Sequence, residues 1–223
     1  MDSLQDWNVM DLKNHIRSIP NFPVEGILFY DIATLLREPA ALKHCLDAFE
    51  TVLKSWEPDV IAGVESRGFL FATPLAERLN LPMMMIRKAG KLPGVLVSSG
   101  AYVTEYSTDE TVIRLGSVKA GDRVVLVDDL IATGGTALAG FDLVDALGAN
   151  VHEFAAMVSL PFLDGVGKIH AYKDGKFKDV SCFTMVDDNS IGPDMCRDPP
   201  SGTPRVVKAE EAKEWAEKIA VQK

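Results

Sequence analysis

The stretch VVLVDDLIATGGT, from Val124 to Thr136, places the strongest constraint on the fold of this chain. Its four leading apolar residues are typical of a strand covered on both faces, as in a parallel sheet. Asp128 and Asp129 are then expected at the carboxyl end of that strand, where open α/β sheets bind ligands and where two acids can accept hydrogen bonds from vicinal sugar hydroxyls. The glycine-rich segment that follows allows backbone N–H groups to converge on an anion at a helix N-terminus. A ribose 5-phosphate would fit this arrangement, although a plain strand, turn and capped helix would satisfy the same residues.

A second strand, turn and helix pattern occurs earlier in the chain. The apolar run Val60–Val64 is followed by Glu65, Ser66, Arg67 and Gly68 and then by a helical pattern. A guanidinium in such a turn suits phosphate oxygens, but a structural salt bridge would explain a single arginine equally well.

Three cations follow the next predicted strand, Met83–Ile86, within five residues. They are Arg87, Lys88 and Lys91. Each alone fits a solvated loop. Together with Arg67 they favour a pyrophosphate-binding cluster, because a leaving group with several negative charges must be stabilised as its bond breaks.

Residues 92–115 are predicted to form a hairpin with a flexible tip, which in a compact domain often acts as a lid. Glu105 lies between aromatic residues in AYVTEY and could carry a proton once the lid excludes water. A surface glutamate on a mobile hairpin is the alternative.

The remaining elements alternate between strand and helix, which predicts an α/β fold with a mostly parallel, doubly wound sheet. Near the N-terminus, spacings of three and four predict an amphipathic helix over about 4–18, ended by Pro20. The extended segment Ile27–Tyr30 is aromatic, which suits either core packing or stacking on a base. Residues 1–186 are expected to form one domain, and the proline-rich 187–223 a C-terminal arm that ends in a helix.

The charge and cysteine content exclude several classes of function. A net charge of -9 and a pI near 4.9 give no electrostatic basis for a nucleic-acid or membrane-surface role. Three scattered cysteines without a CxxC pair argue against a disulfide framework or a zinc site and fit a reducing compartment. With no signal peptide or membrane-spanning run in the sequence, we expect a cytoplasmic protein.

Four separated stretches together resemble one family, the adenine phosphoribosyltransferases of the type I phosphoribosyltransferase fold. They are PNFPVEGILFYDI, GVESRGFLF, IRKAGKLPG and VVLVDDLIATGGT, with AYVTEY before the last, and they span residues 20–136 in the order that the family shows. Two departures are Glu65, where aspartate is more common, and Tyr30, where arginine is common.

The resemblance implies that the protein makes AMP and pyrophosphate from adenine and 5-phosphoribosyl 1-pyrophosphate (PRPP), as a homodimer, with Mg²⁺ carried on PRPP or pyrophosphate and no metal ligand assigned to the protein. It implies a base-binding segment at about 20–36 and a lid at about 92–115. The implied roles are ribose binding by Asp128 and Asp129; 5-phosphate binding by Ala132, Thr133, Gly134, Gly135 and Thr136; pyrophosphate binding by Ser66, Arg67, Arg87, Lys88 and Lys91, some of them across a dimer interface; adenine binding by Leu28, Phe29, Tyr30 and Leu130; and catalysis by Glu105 and Arg67.

Alternatives within and outside the family differ at identifiable features. Hypoxanthine and guanine phosphoribosyltransferases resemble this loop but usually have an aspartate at the position of Ala132. A PRPP-responsive transcription regulator would need a nucleic-acid-binding surface. A catalytically silent PRPP-binding paralogue is the third alternative, against which Glu105 and Arg67 argue.

Overall fold

The structure is a computed structural model that describes residues 12–23, 25, 27–103 and 108–187. These residues fall into two compact units, one of residues 12–16 and 32–187 and one of residues 17–31, and each is described by itself. Glu105, the arm from residue 188 onwards and most of the predicted N-terminal helix lie outside the described residues. No helix in the described part of the chain is long and apolar enough to cross a membrane.

Within the described residues, a seven-stranded, mostly parallel sheet forms the centre of the larger unit. The strands β1 (Arg17–Pro20) and β2 (Leu28–Asp31) belong to the smaller unit. The sheet consists of β3 (Val60–Val64), β4 (Met83–Lys88), β5 (Leu96–Val103), β6 (Thr108–Arg114), β7 (Arg123–Ile131), β8 (Asn150–Ser159) and β9 (Ser181–Asp187). Their spatial order is β5-β6-β4-β3-β7-β8-β9. Strands β4, β3, β7, β8 and β9 are parallel, and β6 is antiparallel to both of its neighbours, β4 and β5.

Helices pack on both faces of this sheet. They are α1 (Ala33–Leu36), α2 (Pro39–Trp56), α3 (Phe69–Leu79), α4 (Gly135–Ala146) and α5 (Gly165–Gly175), and α5 leaves helical geometry at Tyr172. Cys45 of α2 contacts Met157 of β8, whereas Phe141 of α4 contacts Phe154 of β8. Because residues 154 and 157 are an odd number apart on one strand, α2 and α4 cover opposite faces. The doubly wound prediction is confirmed.

The central strands follow directly from their sequences. Val60–Val64 is buried at every position, and the strand has the predicted bounds. The neighbouring strand β7 is longer than predicted, because backbone pairing with β8 continues to Ile131 and Ser159. Asp128 and Asp129, expected at the carboxyl end of the strand, therefore lie inside β7, before its last residue Ile131.

The smaller unit is an antiparallel hairpin of β1 (Arg17–Pro20) and β2 (Leu28–Asp31). An ion pair of 2.5 Å joins Arg17 Nη2 to Asp31 Oδ2 across the two strands, and Phe22 meets Phe29 edge to face at 5.0 Å. The prediction of helix as far as Ser18 was wrong, because pairing with β2 outweighs the local three-and-four spacing. The prediction of an extended segment at Leu28–Tyr30 was right.

Candidate active site

A cavity of about 550 Å³ opens at the carboxyl ends of the central parallel strands in the larger unit. It is formed in part by the turn after β3, the end of β4, the β5–β6 hairpin and the loop from β7 into α4. Its lining comprises Glu65, Ser66, Arg67, Lys88, Tyr102, Asp109, Thr111, Asp128, Asp129, Leu130, Ile131, Ala132, Gly134, Gly135, Thr136, Ala137 and Phe154. Both predicted anion-binding turns thus reach one cavity.

The acid pair lies on the cavity wall in a low-dielectric setting. Asp129 is only 4% exposed, and Asp128 Oδ1 accepts a hydrogen bond from the backbone N–H of Asp129 at 2.8 Å. Burial raises the pKa of both carboxyls, and the adjacent Asp129 charge raises that of Asp128 further. The guanidinium of Arg67 lowers the pKa of Asp129 and so partly offsets the effect of burial on that residue.

Arg67 is held against the acid pair by the turn that follows β3. Its Nε lies 2.8 Å from Asp129 Oδ2, and 39% of its side chain is exposed. The turn itself depends on Gly68, where a Cβ atom would lie 2.5 Å from the carbonyl oxygen of Val127. Glycine therefore lets the start of α3 approach β7 closely enough to bring Arg67 to Asp129.

The glycine-rich loop leads from β7 into α4 with the geometry expected of an anion-binding turn. Gly134 has φ +81, in the left-handed region that favours glycine, and Gly135 is the first helical residue. The N-terminus of α4 therefore faces the cavity with its positive dipole end. Ala132, Gly134, Gly135 and Thr136 line the cavity, whereas Thr133 is not among the lining residues.

Gly165, at the start of α5, supports this loop from behind, a contact that was not predicted from the sequence. A Cβ on Gly165 would lie 3.1 Å from the backbone nitrogen of Gly134 and closer still to the carbonyl oxygen of Ala132. A Cβ on Gly134 would in turn lie 2.8 Å from the carbonyl oxygen of Gly165. No sequence signal singles out Gly165, because a glycine at the start of a helix is common.

The predicted pyrophosphate residues divide into two groups. Ser66, Arg67 and Lys88 line the cavity, and Lys88 Nζ lies 3.0 Å from Asp109 Oδ2. Arg87 and Lys91 are not among the lining residues. Arg87 instead forms an ion pair with Glu65, with Nη2 at 3.0 Å from Oε1, and donates a hydrogen bond from Nη1 to the carbonyl oxygen of Lys91.

The β5–β6 hairpin contributes a residue to which no role was assigned from sequence. Tyr102 of β5 lines the cavity and is hydrogen-bonded to Thr136 of the glycine-rich loop and to Thr111 of β6. Burial raises the pKa of its hydroxyl, which therefore stays protonated and able to donate.

The predicted base-binding residues belong to different units. Leu130 lines the cavity of the larger unit, whereas Leu28, Phe29 and Tyr30 form part of the β1–β2 hairpin. Their joint role in binding adenine stays a prediction, as does the role of Glu105, which lies outside the described residues.

Comparisons with known proteins identify the family. A phosphoribosyl transferase domain model matches residues 31–199. An adenine phosphoribosyltransferase of Gluconobacter oxydans is 48% identical over 167 residues, which cover 75% of this chain and 93% of that protein. The chain belongs to the adenine phosphoribosyltransferase family. Another member, from Rhodospirillum rubrum, is 50% identical over 156 residues, covering 70% of this chain and 91% of that protein.

Solved structures of this family share the fold. The adenine phosphoribosyltransferase of Trypanosoma brucei, solved with AMP, pyrophosphate and ribose-5-phosphate, has a TM-score of 0.85 at 34% identity and covers 92% of this chain and 90% of that one. The Saccharomyces cerevisiae enzyme, solved with an imino-altritol bisphosphate and adenine, has a TM-score of 0.73 at 38% identity, with coverage of 82% and 99%. The predicted type I phosphoribosyltransferase fold is therefore confirmed.

Proposed function

We propose that this protein transfers the 5-phosphoribosyl group of PRPP to adenine and so forms AMP and pyrophosphate in purine salvage. The observation that carries the proposal is that one cavity contains an acid pair, a glycine-rich helix N-terminus and a cationic wall in a member of this family. The related Trypanosoma brucei enzyme was solved with AMP, pyrophosphate and ribose-5-phosphate.

The ribose and its 5-phosphate are assigned to the loop between β7 and α4. Asp128 and Asp129 accept hydrogen bonds from the two ribose hydroxyls, and the Arg67 charge helps to keep Asp129 ionised for this task. The segment Ala132–Thr136 holds the 5-phosphate through backbone N–H groups, threonine hydroxyls and the N-terminus of α4. These contacts fix the sugar before the reaction.

The pyrophosphate is assigned to Ser66, Arg67, Arg87, Lys88 and Lys91. In the reaction the bond from the anomeric carbon to the pyrophosphate oxygen breaks, that oxygen keeps the electron pair, and the imidazole nitrogen N9 of adenine bonds to the anomeric carbon. The transition state resembles an oxocarbenium ion. Arg67 and Lys88, fixed on the cavity wall by ion pairs, stabilise the charge on the departing group without reorganising.

Base recognition is assigned to the backbone of Leu28 and Tyr30 and to an apolar sandwich of Phe29 and Leu130. Glu105 is proposed to accept the proton that N9 loses. Ala132 supports adenine over a 6-oxopurine, because an aspartate at that position faces the base in the hypoxanthine and guanine enzymes.

Mg²⁺ is proposed to arrive bound to PRPP. Among the described residues, no group of three or more histidine, cysteine, aspartate or glutamate side chains could hold a metal ion. The adjacent carboxylates of Asp128 and Asp129 fit a cation that keeps several water and phosphate ligands and takes only one or two from protein. When bound, the ion would neutralise charge on the pyrophosphate oxygens.

We also propose a homodimer in the cytoplasm. Large apolar side chains are exposed in the larger unit, among them Leu70 on α3 at 45% and Met85 on β4 at 44%, and a second copy of the chain would bury such side chains. Light scattering should give the mass of two chains of 24.3 kDa. The free thiols Cys45 and Cys182 support a reducing compartment.

The test is to incubate the purified protein with PRPP and Mg²⁺ and to add adenine, hypoxanthine or guanine in turn. We expect AMP and pyrophosphate in equal amounts with adenine and no nucleotide above background with the other bases. Product formed only from hypoxanthine or guanine would assign the enzyme to the other branch. No product from any base would identify a silent paralogue.

A further inference from the structure

Glu65 occupies the position directly after β3, on the wall of the cavity, and no role in the reaction has been assigned to it. Its side chain is only 14% exposed. Oε2 accepts hydrogen bonds from Arg87 Nε at 3.2 Å and from the backbone N–H of Lys88 at 2.9 Å. Oε1 accepts one from Arg87 Nη2 at 3.0 Å. Both carboxylate oxygens therefore accept hydrogen bonds, and the donors are two consecutive residues of the neighbouring strand β4.

These contacts join the carboxyl ends of β3 and β4. The backbone N–H of Glu65 donates to the carbonyl oxygen of Ile86 at 2.9 Å, so both the main chain and the side chain of Glu65 bind the end of β4. From the other side, Arg87 Nη1 donates to the carbonyl oxygen of Lys91 at 3.0 Å, and the guanidinium lies 5.9 Å from the ring centroid of Phe69. Arg87 is thus fixed between Glu65 and the turn that contains Lys91.

The effect of Glu65 on the cavity depends on which of its two partners, Arg87 or Lys88, lines the cavity. Lys88 lines the cavity, whereas Arg87 is not among the lining residues. A hydrogen bond from the backbone nitrogen of Lys88 fixes the main chain from which the Lys88 side chain enters the cavity. If that main chain shifted, the ammonium group would be displaced from the site assigned to pyrophosphate.

The charge of Glu65 also has to be explained, because a carboxylate on the wall of an anion site repels the anion. Burial acts to raise the pKa of Glu65, but hydrogen bonds from Arg87 and Lys88 outweigh it and hold the pKa below its usual value. The group is therefore ionised at neutral pH, and its charge is balanced by Arg87. This arrangement suits a residue that holds cations in place and does not touch the ligand.

We propose that Glu65 is a positioning residue for the pyrophosphate half of the reaction, acting through Arg87 and the main chain of Lys88. The inference rests on the proposed function, since it assumes that pyrophosphate is bound beside Lys88. It predicts that Glu65 affects the binding of pyrophosphate and PRPP but not the binding of adenine.

The experiment compares the Glu65→Gln and Glu65→Asp variants with the parent protein in both directions of the reaction. Gln keeps the size of the side chain but loses the charge and one acceptor oxygen. Loss of charge-assisted hydrogen bonds should raise KM for pyrophosphate, with AMP as co-substrate, about ten-fold. KM for PRPP should rise similarly in the forward direction, and KM for adenine should stay within about two-fold of the parent value.

The conservative variant separates positioning from simple packing. Asp keeps the charge and both acceptors at the cost of one methylene, so Glu65→Asp should recover most of the affinity for pyrophosphate that Glu65→Gln loses. Glu50→Gln is the matched control, because Glu50 also pairs with two cations, Lys54 and Arg78, but on α2 and outside the cavity lining. Its kinetic constants should equal those of the parent.

The possible outcomes distinguish the inference from the function on which it rests. If the parent protein forms no nucleotide from any base, the proposed function fails. If the parent is active and Glu65→Gln keeps its KM for pyrophosphate, or if all KM values rise equally, the positioning role is overturned.

Discussion

Glu153 on β8 is a buried carboxyl group whose ionisation should make the stability of this protein depend on pH. The residue is only 5% exposed, and its Oε2 atom has no hydrogen-bond partner within the described ranges. The groups that face it are His152, with Nε2 at 3.3 Å from Oε1, and the charge of Arg123 on β7. Burial raises the pKa of Glu153 to about 7, against an ordinary value of 4.5, and the Arg123 charge only partly opposes this.

The sign and the size of the effect follow from these two values. Between pH 4.5 and about 7 the unfolded chain has lost this proton while the folded protein keeps it, so the free energy of unfolding falls as pH rises. Each pH unit in this window corresponds to about 1.4 kcal/mol. The ionised carboxylate should therefore cost the folded protein about 3 kcal/mol at pH 8 and nothing below pH 4.5.

The variant Glu153→Gln isolates this group, because glutamine has the same shape and does not titrate. The free energy of unfolding of variant and parent is measured by urea denaturation at pH 5, 6, 7 and 8. The difference between them should shift by about 2.5 kcal/mol in favour of the variant from pH 5 to pH 8. Because a hydrogen bond from Lys54 lowers the pKa of Glu50, Glu50→Gln should show no such shift above pH 5. A difference for Glu153→Gln that is equal at pH 5 and pH 8 would refute the assignment.

Three further variants test the cavity. Gly165→Ala should press a methyl group against Ala132 and distort the loop assigned to the 5-phosphate. We expect KM for PRPP to rise about ten-fold in steady-state kinetics, and the free energy of unfolding to fall by about 1–3 kcal/mol in urea denaturation. Arg67→Ala should lower kcat about 100-fold, and a normal rate in the same assay would remove Arg67 from its role. Tyr102→Phe deletes the hydroxyl that bonds Thr136, and a rise of a few-fold in KM for PRPP with KM for adenine unchanged is the expected kinetic result.

The elements that sequence predicted well are those fixed by local patterns. The apolar run Val60–Val64 and the helix that begins at Gly135 have the predicted starts, because burial on both faces and a glycine turn leave few alternatives. Asp128, Asp129 and Arg67 were expected at one sheet edge, and topology alone brings them there, since the ends of adjacent parallel strands coincide. Local chemistry and strand order were sufficient for this part of the site.

The features that sequence did not predict depend on contacts between distant segments. Nothing near Glu65 in the chain indicates that it binds Arg87, 22 residues away. Gly165 matters because it meets Gly134, and Gly165 does not stand out from the pattern of its own segment. Arg17 and Ser18 continue a helical spacing, yet they pair with a strand ten or more residues later. In each case tertiary packing decides among options that the local sequence leaves open.

The proposed function requires an acidic protein to bind a polyanion, and the ion pairs in and beside the cavity offer a physical explanation. Arg67, Arg87 and Lys88 each form an ion pair with a carboxylate, respectively Asp129, Glu65 and Asp109. Each ion pair lowers the net positive charge beside the cavity. It also fixes the orientation of the cationic side chain, because the carboxylate partner is itself held by the sheet or by a turn next to it. A transition state gains most from charges that are already oriented, because no free energy is then spent on reorienting them as the bond breaks. Under the proposed function, the carboxylates that pair with these cations are therefore part of the pyrophosphate site, because they hold in place the cations assigned to it.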